Sequence, residues 1–230
     1  MVIRPVHLKP AADLAERVLL PGDPHRALAV AQHVLETPRM FNHHRGLWGY
    51  TGIAPDGEPL SIQSTGMGGP SAAIVVEELT ALGARRLVRI GTCGALVEDL
   101  ELGTLLAVTE ALPADGTSVA LGADGPQPSD PFLLERLTEA GARPTAVVSS
   151  DLFYDPRDGE PAEWVRRGAV AVEMEAAAIF RVAARREVRA ACVVGVTDFA
   201  GVNGARRATR EQIEEIGLRV GEAGYAAVTP

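Results

Sequence analysis

The stretch LVRIGTCG, residues Leu87 to Gly94, is the clearest example of a unit that recurs along this chain. In each copy, a short run rich in Val, Ile and Leu ends in glycine or a small polar residue and leads toward a helix-like segment. The other runs occupy residues 17–20, 60–64, 105–108, 146–148 and 190–196. Near-continuous apolar runs are typical of strands that are covered on both faces, so the pattern predicts a buried sheet.

Helix-like segments separate these predicted strands. They cover Pro70 to Gly83, Glu173 to Arg186 and Thr209 to Ala226, whereas the turn-rich residues 116–131 are predicted to form a surface excursion. Alternating strands and helices predict an α/β fold: a three-layer sandwich with a mixed, largely parallel central sheet flanked by helices. Ligands bind beyond the carboxyl ends of such strands, where the glycine and polar residues of the unit lie.

The composition narrows the class of protein. The 230 residues are 47% hydrophobic and 23% charged, which is typical of a globular protein, and we expect residues 1–230 to form one domain. The net charge of −8 argues against a protein that coats nucleic acid. No apolar run approaches the roughly 20 residues of a membrane span. Because the start of the chain also lacks a signal-peptide pattern, we expect a cytoplasmic protein without membrane contact.

Individual residue types exclude several kinds of chemistry. Cys93 and Cys192 are the only cysteines, which excludes a disulfide scaffold and favours a reducing compartment. Lys9 is the only lysine, so the chain has neither a GK[ST] phosphate loop nor a Schiff-base lysine deep in its sequence. All five histidines lie at or before His44 and no HExxH or CxxC pattern occurs, so we expect no metal site.

Two segments contain residues that suit a bound anion. Gly22 follows the first run and lets backbone approach an anion, and Pro24 suits the first turn of a helix, whose amides favour negative charge. Arg26 would add a guanidinium, although a tight turn with a solvated arginine is the alternative. Arg89 lies inside an apolar run, where its buried charge needs either a carboxylate or an anionic ligand near Thr92 at the strand end.

The segment VEME, Val172 to Glu175, places two carboxylates between an apolar strand and a helix. Acidic residues in a first helical turn interact favourably with the helix dipole, which is one interpretation. The other is functional, because a carboxylate at the end of a sheet can accept two hydrogen bonds from a vicinal diol such as ribose. In that case Met174 would supply an apolar wall.

Two further runs end in residues with a functional and a structural interpretation. Thr197 and Asp198 close the last run, and an aspartate held partly neutral there suits a general acid, the alternative being a helix cap or loop acid. Arg207 and Arg210 lie just beyond and could tune it. Phe153 is one of few aromatic residues and either stacks on a planar base or packs in the core.

Taken together, these segments resemble the bacterial nucleoside phosphorylase family, in its hexameric purine nucleoside phosphorylase and uridine phosphorylase branch. Each matching segment alone is weak evidence, but the ordered set is specific and spans nearly the whole chain. The segments are LPGDPHRA (20–27), HRGLWGYTG (44–52), TGMGGPSAAI (65–74), RIGTCGA (89–95), SSDLFY (149–154), VEMEAAAIF (172–180) and VTDF (196–199).

The resemblance implies reversible phosphorolysis of a nucleoside. Phosphate, a co-substrate, attacks the anomeric carbon and releases a free base and ribose 1-phosphate, with no metal or organic cofactor. The resemblance also implies a homohexamer, built as a trimer of dimers, with sites shared across a dimer interface. Taken alone, His7 and Arg45 indicate only a surface histidine and a surface arginine, but the family pattern makes each reach the site of a neighbouring subunit.

The roles implied by the resemblance fall into four groups. Phosphate would be bound by Gly22, Arg26, Arg89 and Thr92, and by Arg45 from the neighbouring subunit. The sugar would be held by Met174, by Glu175 through its 2′- and 3′-hydroxyls, and by His7 from the neighbouring subunit. The base would contact Phe153, Val172, Glu173 and Thr197. Asp198 would protonate the purine N7 with help from Arg210, or from Arg207, because this segment aligns loosely with the family.

Related activities remain as alternatives. Uridine phosphorylases usually carry Gln and Arg in an inserted loop after the SSDLFY-like segment, whereas Asp155 to Pro161 is short here, and Asp198 suits a purine. Methylthioadenosine phosphorylases and nucleosidases share this fold; the nucleosidases lack the phosphate arginines. A non-catalytic nucleoside-binding protein is the alternative from another class, and retention of both Glu175 and Asp198 argues against it.

Overall fold

Strand β5 lies at the centre of a ten-stranded mixed sheet, with three other strands paired to it. The computed structural model describes residues 4–200 and 206–229. Its elements are β1 (Arg17–Leu20), α1 (Pro24–Val34), β2 (Glu36–Asn42), β3 (Gly49–Ile53), β4 (Pro59–Gln63), α2 (Gly69–Ala81), β5 (Arg86–Ala95), β6 (Leu105–Ala114), α3 (Gly116–Ala120), β7 (Gln127–Pro128), α4 (Pro131–Glu139), β8 (Arg143–Ser150), α5 (Glu160–Arg166), β9 (Ala169–Glu173), α6 (Ala176–Arg186), β10 (Arg189–Phe199) and α7 (Arg210–Val228).

The strand order is β10-β6-β8-β9-β5-β1-β4-β3-β2, with β7 attached to β6. Because β10 also pairs with β5, strands β5, β9, β8, β6 and β10 close on one another, and β1, β4, β3 and β2 extend from β5 as an arm. The longest pairings, β5 with β10 and β6 with β8, are parallel. The predicted α/β fold with a mixed sheet is therefore confirmed.

Helices cover the two faces of this sheet, as a three-layer sandwich requires. On one face, α2 and α6 contribute Val75 and Ile179 to a core that includes Leu87 of β5. On the other face, α1, α4 and α7 pack over a second core that includes the next residue, Val88. Successive side chains of β5 thus enter opposite cores, which explains why the run had to be apolar at nearly every position.

Several element boundaries differ from the predicted ones. Helix α6 begins at Ala176, because Glu173 is the last residue of β9 and Glu175 occupies the position before the first helical turn. Residues 116–131 are not simply a surface excursion: they include α3 and β7, and the Asp115 carboxylate caps α3 by accepting from the Ser118 amide at 2.7 Å. None of the helices in the described part of the chain has the length and apolar character needed to cross a bilayer.

Candidate active site

The Arg89 guanidinium is the centre of a buried charged cluster on β5. Its Nε donates to Oε2 of Glu173 at 2.8 Å, and a terminal nitrogen lies 2.5 Å from Oε2 of Glu175. Of the two partners that the sequence left open, the carboxylates are present. A guanidinium has five N–H donors, so these two pairs leave further donors for a ligand. Burial alone would lower the pKa of Arg89, but the two carboxylates outweigh it and raise that pKa, so the group stays charged.

Gly91 makes room for this arginine. A Cβ at position 91 would lie 2.8 Å from a terminal nitrogen of Arg89 and 2.9 Å from its Cζ. Real Cβ atoms essentially never approach so closely, so the guanidinium can fold back along β5 only where the side chain two residues on is hydrogen. The glycine in RIGTCG therefore shapes the charged cluster directly.

The Glu175 carboxylate is held at the start of α6 by two groups from elsewhere in the chain. Besides Arg89, its carboxylate accepts from the Gly68 amide, which lies 2.5 Å from Oε1 in the loop before α2. Burial raises the pKa of the Glu175 carboxyl and the charge of Glu173 adds to that effect, while Arg89 opposes it. The glycine loop thus places a backbone amide on this carboxylate, a contact that the sequence did not reveal.

Glu173 belongs to the same buried cluster. Its side chain is 0% exposed. Both carboxylate oxygens accept hydrogen bonds: from Arg89, from the Ser149 hydroxyl, and from the amides of Glu175 and Ala176. Because these acceptor sites are used inside the protein, the geometry favours a structural role for Glu173, and the base-binding role that the resemblance implies stays a prediction.

Arg26 lies close to this cluster from the opposite helix layer. It sits in the first turn of α1, whose cap Asp23 accepts from the His25 amide at 2.9 Å, and its side chain packs against Gly217 of α7. Burial lowers the pKa of Arg26, Asp23 partly offsets that effect, and the positive charge of Arg89 lowers it further. Within residues 4–200 and 206–229 the guanidinium forms no ion pair, so it is available to an anion.

Gly22 and Thr92 lie just beyond the point where the parallel pairing of β1 with β5 ends, at Leu20 and Arg89. The amide of Thr65 donates to the Pro21 carbonyl at 2.8 Å, and a Cβ on Gly22 would lie 3.2 Å from the Gly66 carbonyl oxygen. Backbone therefore approaches backbone closely here, as expected for a glycine at a sheet end. Thr92 is half-buried on β5, three residues beyond Arg89.

Asp198 lies on β10 opposite Gly94 of β5, just after a break in the pairing register. A Cβ on Gly94 would lie 2.9 Å from Oδ1 of Asp198, so this glycine makes space for the carboxylate. Its Oδ2 accepts from the Thr197 hydroxyl at 3.0 Å. Burial, together with the charges of Glu173 and Asp198, raises the pKa of the Cys93 thiol.

Neither candidate arginine contacts the Asp198 carboxylate. Arg210 is 88% exposed and bonds Glu214 one turn along α7, with Nε 2.9 Å from Oε1. Arg207 pairs with Asp198 through an isolated antiparallel backbone bridge. The loosely aligned segment between them includes residues 201–205, which lie outside the described part of the chain.

The other predicted base and sugar residues differ in their exposure. Met174 and Val172 are half-buried beside the cluster, and Thr197 is buried. Phe153 is 62% exposed and meets Tyr154 edge to face, with ring centroids 5.0 Å apart. Core packing of Phe153 is thus excluded, and its ring is accessible to a ligand or a partner.

His7 and Arg45 lie apart from this charged cluster. The His7 Nδ1 is 2.7 Å from Oε1 of Glu78 in α2, and that carboxylate also accepts from the amides of residues 6–8. These hydrogen bonds lower the pKa of Glu78, although burial acts the other way. Arg45 is exposed and has a left-handed backbone with φ of 59°, in a 3₁₀ turn over His44–Gly46. Neither position contradicts a role in a neighbouring subunit, which remains a prediction.

Sequence reasoning missed two groups that organise the site, the Ser149 hydroxyl and the Gly68 amide, and it also missed Glu78, which holds the N-terminal segment apart from the site. Ser149 stands in the SSDLFY segment, but only the alignment of β8 with β9 brings it opposite Glu173. Gly68 stands in the TGMGGPSAAI segment, but its amide meets Glu175, 107 residues further along the chain, and no local pattern specifies that partner.

Comparison with known proteins identifies the family. Residues 16–229 match the family model described as the phosphorylase superfamily. Proteins named "Purine nucleoside phosphorylase DeoD-type" are similar over most of their length. The one from Jannaschia sp. is 39% identical over 203 residues, covering 84% of this chain and 86% of the relative.

Two further relatives carry the same name. The protein from Caldanaerobacter subterraneus subsp. tengcongensis is 35% identical over 195 residues, covering 81% of this chain and 84% of its own. The protein from Alkaliphilus metalliredigens is 34% identical over 215 residues, covering 90% and 92%. With its fold, its ordered segments and these matches along nearly all of its length, the chain belongs to the phosphorylase superfamily.

Proposed function

We propose that this protein catalyses the reversible phosphorolysis of purine ribonucleosides and deoxyribonucleosides, giving the free base and the sugar 1-phosphate. The observation that carries the proposal is the meeting of Arg26, Arg89 and Glu175 at one end of the sheet. Two guanidinium groups beside a carboxylate suit an anion next to a diol. The relatives named purine nucleoside phosphorylase support the same reaction.

Phosphate is bound, on this proposal, by Arg26 and by the donors of Arg89 that its carboxylate pairs leave over. Arg26 needs a counter-charge, because burial already disfavours its charged form and Arg89 repels it. A phosphate dianion between the two arginines removes that repulsion. Gly22 and Thr92 add a close-lying backbone and a hydroxyl at the same strand ends, and Arg45 of the neighbouring subunit completes the set.

The sugar is held by Glu175, which accepts from the 2′- and 3′-hydroxyls of a ribose, against the apolar side chain of Met174. The glycosidic bond breaks through an oxocarbenium-like transition state in which positive charge grows on the sugar. The bound phosphate stabilises that charge and is also the nucleophile. No metal or organic cofactor takes part.

Asp198 acts as the general acid. Negative charge grows on the departing base, and proton transfer from Asp198 to the purine N7 makes it a better leaving group. Arg207 or Arg210 assists after a movement of the segment that carries them. Val172, Thr197 and Phe153 form the walls of the base site.

The assembly we propose is a homohexamer of the cytoplasm, a trimer of dimers in which His7 and Arg45 complete the site of the partner. The hydrogen bond between His7 and Glu78 then fixes the N-terminal segment on α2. The exposed, strained Arg45 turn fits a side chain that finds its partner outside its own subunit.

A substrate panel tests this function. Inosine, adenosine, guanosine, uridine and methylthioadenosine are each incubated with the enzyme, with and without phosphate, and base release is followed by chromatography. We expect release from the purine nucleosides only when phosphate is present. Release without phosphate would indicate a nucleosidase, and preference for uridine would indicate a pyrimidine enzyme. Tight nucleoside binding without turnover would indicate a binding protein.

A further inference from the structure

A buried hydroxyl on β8 lies at the base of the charged cluster. Ser149 is 0% exposed and pairs in register with Glu173 of the parallel neighbour β9. Its Oγ donates to Oε1 of Glu173 and accepts from the Ala177 amide at 2.9 Å. The hydroxyl thus connects a strand, a carboxylate and the first turn of α6.

Glu173 in turn fixes the arginine. Oε2 of Glu173 receives the Nε–H of Arg89 and the Glu175 amide, at 2.8 and 2.9 Å, and the Ala176 amide lies 3.0 Å from both oxygens. Because Nε is the donor used, the bond fixes the plane of the guanidinium and leaves its terminal nitrogens directed elsewhere.

We infer that Ser149 and Glu173 are positioning residues for phosphate binding, acting through Arg89. This inference rests on the proposed function and deepens it. Ser149 orients Glu173, Glu173 orients the Arg89 guanidinium, and the N–H donors of its terminal nitrogens that Glu175 leaves over then face the phosphate. Neither side chain touches either substrate.

The hydrogen bonds also explain why a serine stands at position 149. The Glu173 carboxylate lacks space for a ligand, and its acceptor sites are filled by protein donors. Without the Ser149 hydroxyl, one buried carboxylate oxygen would keep only the Ala176 amide, and the Ala177 amide would lose its acceptor. Such buried polar groups are costly to leave unpaired, so the carboxylate would turn and carry Arg89 with it.

The test compares Ser149→Ala and Glu173→Gln with the wild type in two ways. The first measures KM for phosphate, KM for inosine and the ratio of inosine to adenosine turnover. The second measures the rise in Tm caused by inorganic phosphate alone, which needs no turnover. We expect phosphate KM to rise by about tenfold in both variants and the phosphate-induced rise in Tm to shrink. Inosine KM and the inosine-to-adenosine ratio stay unchanged.

Two further variants separate positioning from folding. Ser150→Ala removes an equally buried hydroxyl from the next residue, where it accepts only from the Leu152 amide at 3.3 Å, and should leave phosphate KM unchanged. Ser149→Thr keeps the hydroxyl on a β-branched side chain that suits a strand, and should restore phosphate binding. If Ser149→Ala does not fold, Glu173→Gln carries the test.

Three results would overturn the inference. The first is an unchanged phosphate KM together with an unchanged phosphate-induced rise in Tm in Glu173→Gln. The second is an altered inosine-to-adenosine ratio in place of an altered phosphate KM, and the third is an equal effect of the substitutions at 149 and 150. A wild type that shows no turnover would contradict the proposed function alone. The positioning of Arg89 would still be decided by phosphate-induced stabilisation in the wild type and the variants.

Discussion

Asp198 and Arg89 lie on two adjacent parallel strands, and in the proposed mechanism they act at the two ends of the bond that breaks. Arg89 belongs to the phosphate side and is enclosed by carboxylates, whereas Asp198 is half-buried and bonds only a neighbouring hydroxyl among the described residues. The two side chains are therefore expected to respond differently to substitution.

Replacing Asp198 by Asn removes the proton that the leaving base needs. The Asn oxygen can still accept from Thr197, so the fold should be kept. We expect kcat for inosine to fall by about 10²-fold or more, the usual contribution of a general acid. An N7-methylated purine nucleoside carries its positive charge already, so its turnover should be spared. Equal losses on both substrates would refute the assignment.

Glu175 offers a test that depends on pH. Burial, together with Glu173, raises the pKa of its carboxyl above the ordinary 4.5 in the folded state. The folded state then binds this proton more tightly than the unfolded state. Protonated Glu175 therefore adds to the free energy of unfolding below the pKa that it has in the unfolded state. That contribution is lost as the pH rises through the pKa that it has in the folded state. Once ionised, the Glu175 carboxylate therefore lowers the free energy of unfolding, and the proposed function explains why the protein keeps it.

Glu175→Gln should therefore gain in Tm relative to the wild type as the pH rises from about 4 to 7, while its activity falls. Thermal unfolding of the two proteins across that range measures the difference. A relative Tm that falls with pH would show that pairing with Arg89 outweighs burial.

At the scale of elements, the motif RIGTCG on β5 contains two glycines with separate tasks. Gly91 gives space to the Arg89 guanidinium and Gly94 gives space to the Asp198 carboxylate. Gly91→Ala should raise phosphate KM, and Gly94→Ala should lower kcat with phosphate KM little changed. Steady-state kinetics with each substrate varied in turn separate the two effects.

Gly125→Ala is the control for this pair, since a Cβ there meets nothing within 4 Å and its backbone is not left-handed. If Gly91→Ala and Gly94→Ala gave the same kinetic defect, the two glycines would not have separate tasks.

Helix α7 approaches the sheet through glycines as well. A Cβ on Gly224 would lie 2.6 Å from Cγ2 of Ile90, whereas on Gly217 the nearest atom would be the flexible Arg26 side chain at 3.4 Å. Gly224→Ala should lower the free energy of unfolding by about 1–3 kcal/mol, as overpacking does. Gly217→Ala, in the same helix, should be close to neutral in chemical denaturation. A similar decrease in the free energy of unfolding in both variants would show that α7 does not tolerate an added methyl group at either position.

The sequence predicted the elements whose local pattern is strong and missed those whose pattern is weak. The runs that became β1, β4, β5 and β10 are rich in Val, Ile and Leu, but Glu36–Asn42 lacks such a pattern and forms β2 only at the edge of the sheet. Arg89 was recognisable as a buried charge, but its partners come from β9 and α6, more than 80 residues away. Ser149 and Glu173 meet through strand register, which no local pattern specifies.

At the scale of the whole molecule, a chain with a net charge of −8 is proposed to bind phosphate through three arginines. Arg26 and Arg89 come from its own site and Arg45 from a neighbour in the proposed assembly. That arrangement predicts complementation between subunits. Arg26→Ala and Arg45→Ala chains, each defective alone, regain intact sites when mixed, because one chain supplies Arg26 and the other Arg45.

Random mixing makes about half of the dimers mixed, and one of the two sites in each mixed dimer has both arginines. About a quarter of all sites should therefore be restored. Refolding the two variants together and measuring activity against each variant alone tests this expectation. Activity no higher than the mean of the separate variants would show that the sites are not shared.

The fate of phosphate tests the central claim most directly. ³¹P NMR of inosine, inorganic phosphate and enzyme should show a sugar 1-phosphate resonance that grows as the phosphate resonance declines, one for each hypoxanthine released. Free ribose with an unchanged phosphate resonance, or no reaction at all, would contradict the account.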